Sequence, residues 1–154
     1  MKKIFFIFLI FFFTLTNFSF SQSMLSLEKY LERNENQLQD PTVLMYLSDR
    51  CSGLNLYQAT ILSTSTSPEG LEAAERFKEM SGIFSLTSYK ILISEFNKVK
   101  DQAQEIAKES MIKKYEDYLK DGKDLHSKTG SYFIGNYIES DVKVCEQLSK
   151  IILE

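Results

Sequence analysis

The chain has 154 residues, with 18 basic and 21 acidic side chains, two cysteines, two prolines and a single histidine. That length fits one ordinary domain. A net charge of −3 argues against nucleic acid and against anionic lipid as partners, because both call for a basic surface.

Lys2 and Lys3 precede an apolar run over residues 4–13, and small residues follow at Ser19 and Ser21. A basic start, an apolar centre and small residues before a cut form a secretory leader. The run is shorter than the roughly 20 residues a membrane span requires. Cleavage is expected after Ser21, with Ser23 as the alternative, which divides the chain into a leader (1–21) and one helical domain (22–154). Loss of Lys2 and Lys3 leaves 16 basic against 21 acidic groups, a net charge of −5. No cysteine lies at the cut, so no lipid anchor is expected. The mature protein is expected to be periplasmic or secreted, with no membrane span.

Beyond the leader the spacing is helical, without alternating strand-like runs. A first helix is predicted over 26–39, with Ser26 as N-cap and Leu27, Tyr30 and Leu31 on its apolar face. Asp40-Pro41 then marks a boundary, Asp40 capping and Pro41 at the first helical position, where its missing N–H costs nothing. The second helix, 41–63, carries Leu44, Leu47, Cys51, Leu54 and Ile61 at steps of three and four. Residues 63–70, rich in Ser and Thr and containing Pro68 and Gly70, form a linker. A third helix keeps one apolar face from Leu71 to about Lys120, with Ser81-Gly82 and the β-branched stretch 83–93 as its weak points, where a kink or a division into two helices is the alternative. Asp121-Gly122 is predicted to end it, and a polar connection runs through Gly130. The last helix, 131–153, aligns Ile134, Ile138, Val142, Cys145, Leu148 and Ile152. The expected fold is all-α, a small up-and-down bundle of about four helices.

Two cysteines in an exported chain are read as a disulfide. Cys51 and Cys145 each fall in the middle of an apolar seam, so a bridge between the second and last helices is predicted. Metal is not expected, since the chain has no Cys-x-x-Cys and only His126 as an imidazole.

Motifs for catalysis are present without the context that would give them meaning. Ser26, Ser110 and Ser140 each open a Ser-x-x-Lys match, and Lys128-Thr129-Gly130 matches a further element of penicillin-recognising serine enzymes. Those enzymes use a mixed α/β scaffold with Lys-Thr-Gly on a strand, and no strand is predicted here. His126 falls in a polar turn and is expected to be solvated. The absence of Cys-x-x-Cys-His excludes covalent haem attachment. Glutamates along the helices have Lys or Arg three or four residues on, the pattern of a solvated face. The chain is therefore expected not to be an enzyme and to carry no cofactor.

The eight tyrosines are more suggestive. Their simplest placement is at the border of the core with hydroxyls in water; Tyr is also favoured at binding surfaces. Tyr46, Tyr57 and Tyr137, together with Arg50 beside Cys51, are the candidate binding residues. Only Arg50 reads as an inward charge, and it would then need Asp141 or Glu139 as a partner. The functional expectation is a non-enzymatic binding module whose partner is an envelope protein or peptide. The alternative is a small-ligand or haem carrier with its pocket between helices near Arg50.

Overall fold

A computed structural model describes residues 24–34 and 39–153. The predicted leader and cleavage sites, and part of the predicted first helix, lie outside the described residues. What is described is all-α: five helices, with no strand among the described residues. They are α1 (Leu27–Arg33), α2 (Pro41–Leu62), α3 (Pro68–Ser94), α4 (Lys100–Thr129) and α5 (Tyr137–Leu153).

The first three boundaries follow the capping residues. The Ser26 hydroxyl accepts the Lys29 N–H at 3.3 Å, Asp40 accepts that of Thr42 at 2.7 Å, and Ser67 accepts that of Gly70 at 3.0 Å, with Pro41 and Pro68 each in the first turn. These bonds satisfy N–H groups that have no partner inside the helix.

The long third helix of the sequence reading is in fact two. It runs through Ser81-Gly82 unbroken, because Ser81 is held from outside: its hydroxyl donates to the Ser52 carbonyl at 2.9 Å, and the Ser52 hydroxyl donates to the Ser81 carbonyl at 2.8 Å. The break falls at residues 95–99 instead. There Asn97 adopts φ +51°, and the Lys98 N–H returns to the Leu92 carbonyl at 3.0 Å. Asn is among the few residues that tolerate this left-handed backbone.

Two more boundaries move. Asp121-Gly122 does not end α4, which continues to Thr129 and stops at Gly130 with φ +76°. Gly122 sits inside the helix because a Cβ there would collide with the Tyr57 hydroxyl. The last helix starts at Tyr137 rather than Ser131. Residues 131–136 are a turn in which the Ser131 hydroxyl accepts the N–H of Phe133 at 3.2 Å and of Ile134 at 3.0 Å, and Asn136 accepts that of Ile138 at 2.8 Å.

α2 is the centre of the fold. Residues 47–55 are buried without interruption, so the helix is covered on every side rather than along one seam. Ser52 meets Ser81 and Asp49 meets Ser88, so α2 and α3 run antiparallel. Asp49 meets Ser110 and Gly53 meets Lys114, so α2 and α4 run parallel. α5 lies across this trio. Tyr137 near its start reaches Asp121 of α4, Cys145 is joined to Cys51 of α2, and its later residues share a groove with Phe77 and Met80 of α3. α1 packs on α5. The predicted disulfide is present, with Cα atoms 5.4 Å apart.

Candidate functional site

Arg50 does turn inward, and its partner is Asp141. The two side chains form a direct ion pair, both fully buried. Glu139, the other acid considered, lies at the surface and pairs with Lys143 at 3.3 Å. Cys51 follows Arg50, and Cys145 lies one turn beyond Asp141, so the disulfide and the ion pair join the same stretches of α2 and α5.

The remaining groups of the network come from three directions. The Arg50 Nε donates to the Tyr118 hydroxyl at 2.9 Å, and Nη1 donates to the Tyr46 hydroxyl at 3.0 Å and to the Leu25 carbonyl at 3.2 Å. Tyr118 donates in turn to Asp141 Oδ2 at 2.5 Å, and the Leu27 N–H donates to Oδ1 at 2.6 Å. Residues 24–27 are thus a strap across the ion pair, bonded to both of its members. The guanidinium carbon also lies 5.3–5.8 Å from the ring centres of Tyr46, Tyr118 and Tyr137, within range of cation–π attraction.

Burial alone would lower the Arg50 pKa, but Tyr118, Asp141 and Tyr46 outweigh it and raise it overall. The guanidinium stays charged. Burial pushes the Asp141 carboxyl upward, opposed by Arg50, the Leu27 N–H and Tyr118. Among the described residues no buried side-chain polar atom lacks a partner, as a buried charge network requires if it is to persist.

The candidate tyrosines divide by role. Tyr46 is half-buried, its ring tilted against that of Tyr30 with centres 4.3 Å apart and with the Lys114 ammonium 5.2 Å from its ring centre. Tyr57 is fully buried and donates to the Tyr132 carbonyl at 2.9 Å. Tyr137 donates to Asp121 at 2.7 Å, and its pKa is raised by burial and by that carboxylate. The hydroxyls of Tyr57, Tyr118 and Tyr137 therefore bond to protein groups rather than pointing to water, contrary to the simplest placement.

Arg50 is also not the only inward charge. Asp49 is buried at 8% exposure and accepts hydroxyl bonds from Ser88 at 2.5 Å and Ser110 at 2.6 Å. Burial pushes its carboxyl above the usual carboxylate range; the two serine bonds and the Lys114 charge pull it partly back. Burial and the nearby Arg50 push the Lys114 pKa down. Asp49 lies beside Arg50 among small and polar residues, Ser48, Ser52 and Gly53, so periodicity does not flag it, and its serine partners are remote in sequence.

The motif residues fall into ordinary positions. Ser26 caps α1, Ser110 bonds to Asp49, and Ser140 donates to Glu28 at 3.2 Å. Lys128 pairs with Asp124 at 2.6 Å. His126 lies on α4 rather than in a turn, exposed and stacked on Tyr132 at 4.0 Å. Among the described residues no cluster of three or more His, Cys, Asp or Glu could hold a metal ion, and no helix is long and apolar enough to cross a membrane.

Two open clefts flank the strap and the start of α5. One, of about 960 Å³, lies between residues 24–29, the end of α4 and Tyr137, with Lys29, Asp121 and Lys128 on its walls. The other, of about 900 Å³, lies between α1 and α5 over Leu31, Val144, Leu148 and Ile151. Asn136 and Ser140 border both. Neither cleft was anticipated from the sequence, since both form where separate elements meet. Comparison with protein-family models, curated proteins and solved structures finds no match.

Proposed function

We propose that this chain is an exported, non-enzymatic binding module that recognises an envelope protein or peptide at the α1–α5 corner. The observation that carries this reading is the division of labour between interior and surface. The charged and aromatic groups that could have lined an internal ligand pocket are bonded to one another, while two large open clefts lie outside, sharing Asn136 and Ser140. A disulfide between helices suits a protein that works in an oxidising compartment. A small-ligand or haem carrier with its pocket at Arg50, Tyr46 and Tyr137 has less support, because Arg50 already donates to Tyr118, Tyr46, Leu25 and Asp141.

The test is photo-cross-linking in cells of the source organism. A photoreactive residue replaces Ser140 at the shared border of the clefts, or Glu72 on the exposed side of α3. A discrete polypeptide adduct from position 140, absent from position 72, is expected. Adducts of equal yield from both positions, or none from either, would defeat the proposal.

A further inference from the structure

The groove between α1 and α5 has a chemistry specific enough to name its occupant. Its floor contains Val144, Leu148 and Ile151, spaced at i, i+4 and i+7 on α5, with Leu31 facing them from α1. Ile151 is 69% exposed, although its neighbour Ile152 packs against the core. Val144 is buried and Leu148 half-buried, both packed with the core, so the groove has an apolar floor whose open edge is Ile151. The rim is acidic. Glu28, Glu32 and Glu139 line the groove against a single cation, Lys143, which is already paired with Glu139. Glu32 meets no cation among the described residues.

The recurring modes of peptide recognition narrow the choice. Strand addition needs a sheet edge, and the described residues contain no strand. Polyproline recognition needs an aromatic-lined groove, and no aromatic residue borders this one. Capture of a phosphorylated or acidic motif needs an arginine cluster, and this rim carries the opposite sign. An amphipathic helix laid into an apolar trough between two helices fits the remaining geometry, and an acidic rim selects Lys or Arg at the edges of its apolar face. The same rim disfavours an anionic membrane surface.

We infer that the α1–α5 groove docks a basic amphipathic helix of a partner protein; this rests on the binding-module reading above. The probe is a labelled synthetic peptide of about 18 residues, long enough to hold a helix, with Leu at i, i+3, i+4 and i+7 and Lys along both edges. A second peptide has Glu at every Lys position. Titrated by fluorescence anisotropy against the oxidised mature protein, the Lys peptide should saturate, and the Glu peptide should bind about tenfold more weakly or not at all. Ile151→Lys should weaken the Lys peptide about tenfold, and Glu32→Lys about threefold. Leu71→Lys, an exposed position on α3, should leave it unchanged. Ile151 is exposed enough that its replacement leaves the fold intact, which circular dichroism checks.

Equal affinity for the two peptides, or no effect of Ile151→Lys, would overturn the inference. So would a wild-type dimer, seen by sedimentation, that Ile151→Lys converts to monomer, because a second copy would then cover the groove. If no peptide binds while position 140 still cross-links to a polypeptide, the groove assignment falls and the binding module stands. If both experiments are negative, both fall.

Discussion

The trio α2–α3–α4 and the pair α1–α5 are held by different means. Within the trio, helices approach closely over small residues: Ser52 on Ser81, Gly53 on Lys114, and Ala103 and Ala107 beside Leu92. Its connections are short, residues 63–67 and 95–99. Such local contacts need little loop closure. The pair is fastened to the trio by long reaches instead: the Cys51–Cys145 bond, the Arg50–Asp141 pair with Tyr118, and the strap at residues 24–27. Leu27, Ile138, Val144 and Cys145 also join Leu47, Leu54, Tyr57 and Tyr118 in one core; with the cross-links cut, the pair is expected to loosen before the trio. Because both clefts lie along the pair, the proposed binding surface depends on those cross-links too.

The largest effect should come from leaving a charge behind. Asp141→Ala strands Arg50 in the interior and should cost about 3–5 kcal/mol, a fall in Tm of roughly 10 °C or more by thermal melt. Replacing both partners, Arg50→Met with Asp141→Leu, should restore most of that loss, since a buried pair is often no more stabilising than apolar residues of similar volume. A double variant as unstable as the single one would show that the hydroxyl and strap bonds matter more than the pair.

Next is the disulfide. Reduction, or Cys51→Ser with Cys145→Ser, should cost about 2–4 kcal/mol, the chain-entropy model allowing somewhat more for so long a loop. An unchanged melting temperature would mean that the pair holds without its covalent link. Within the trio, Gly53→Ala should cost about 1–3 kcal/mol, because its Cβ would lie 2.5 Å from that of Lys114 and 2.7 Å from the Tyr115 nitrogen. Chemical denaturation of this variant should show one transition in which trio and pair unfold together. A separate, earlier transition of the pair alone would reverse the proposed dependence.

Much of the pair's attachment was legible in the sequence and much of the trio's packing was not. Cys51 and Cys145 sit on apolar seams, with Arg50 one residue before the first and Asp141 one helical turn before the second, so the disulfide could be read from spacing and Asp141 was one of two acids in reach of Arg50. Asp40-Pro41 announced α2 through a local bond that needs no partner elsewhere. Ser81-Gly82 misled because the bonds that hold it helical come from Ser52, a tertiary contact invisible to propensity. Gly122 misled for the same reason, since its value lies in the room it leaves for Tyr57. The true break at Asn97 depends on one left-handed residue and leaves no periodic trace. The strap escaped notice because it acts through the backbone of Leu25 and Leu27, which side-chain patterns do not register.

The smallest effect concerns Asp49 in the trio. Its folded-state pKa is raised by burial, so the folded state holds that proton more tightly than the unfolded chain does. Its contribution to stability is therefore greatest at low pH and declines as pH rises through the folded pKa. Asp49→Asn should remove this component, so that on lowering the pH through the carboxylate range the variant's Tm gains less, or falls more, than that of the wild type, by a few degrees at most. An identical slope in the variant would mean that Ser88, Ser110 and Lys114 fully offset the cost of burial.

Native-state hydrogen exchange, compared between the oxidised and reduced protein, tests the two-region account most directly. Reduction should strip protection from the amides of α1 and α5, the Leu27 N–H on Asp141 included, while α2, α3 and α4 keep theirs around the Ser52–Ser81 contact. Protection lost evenly across all five helices, or lost first from α3 and α4, would contradict it.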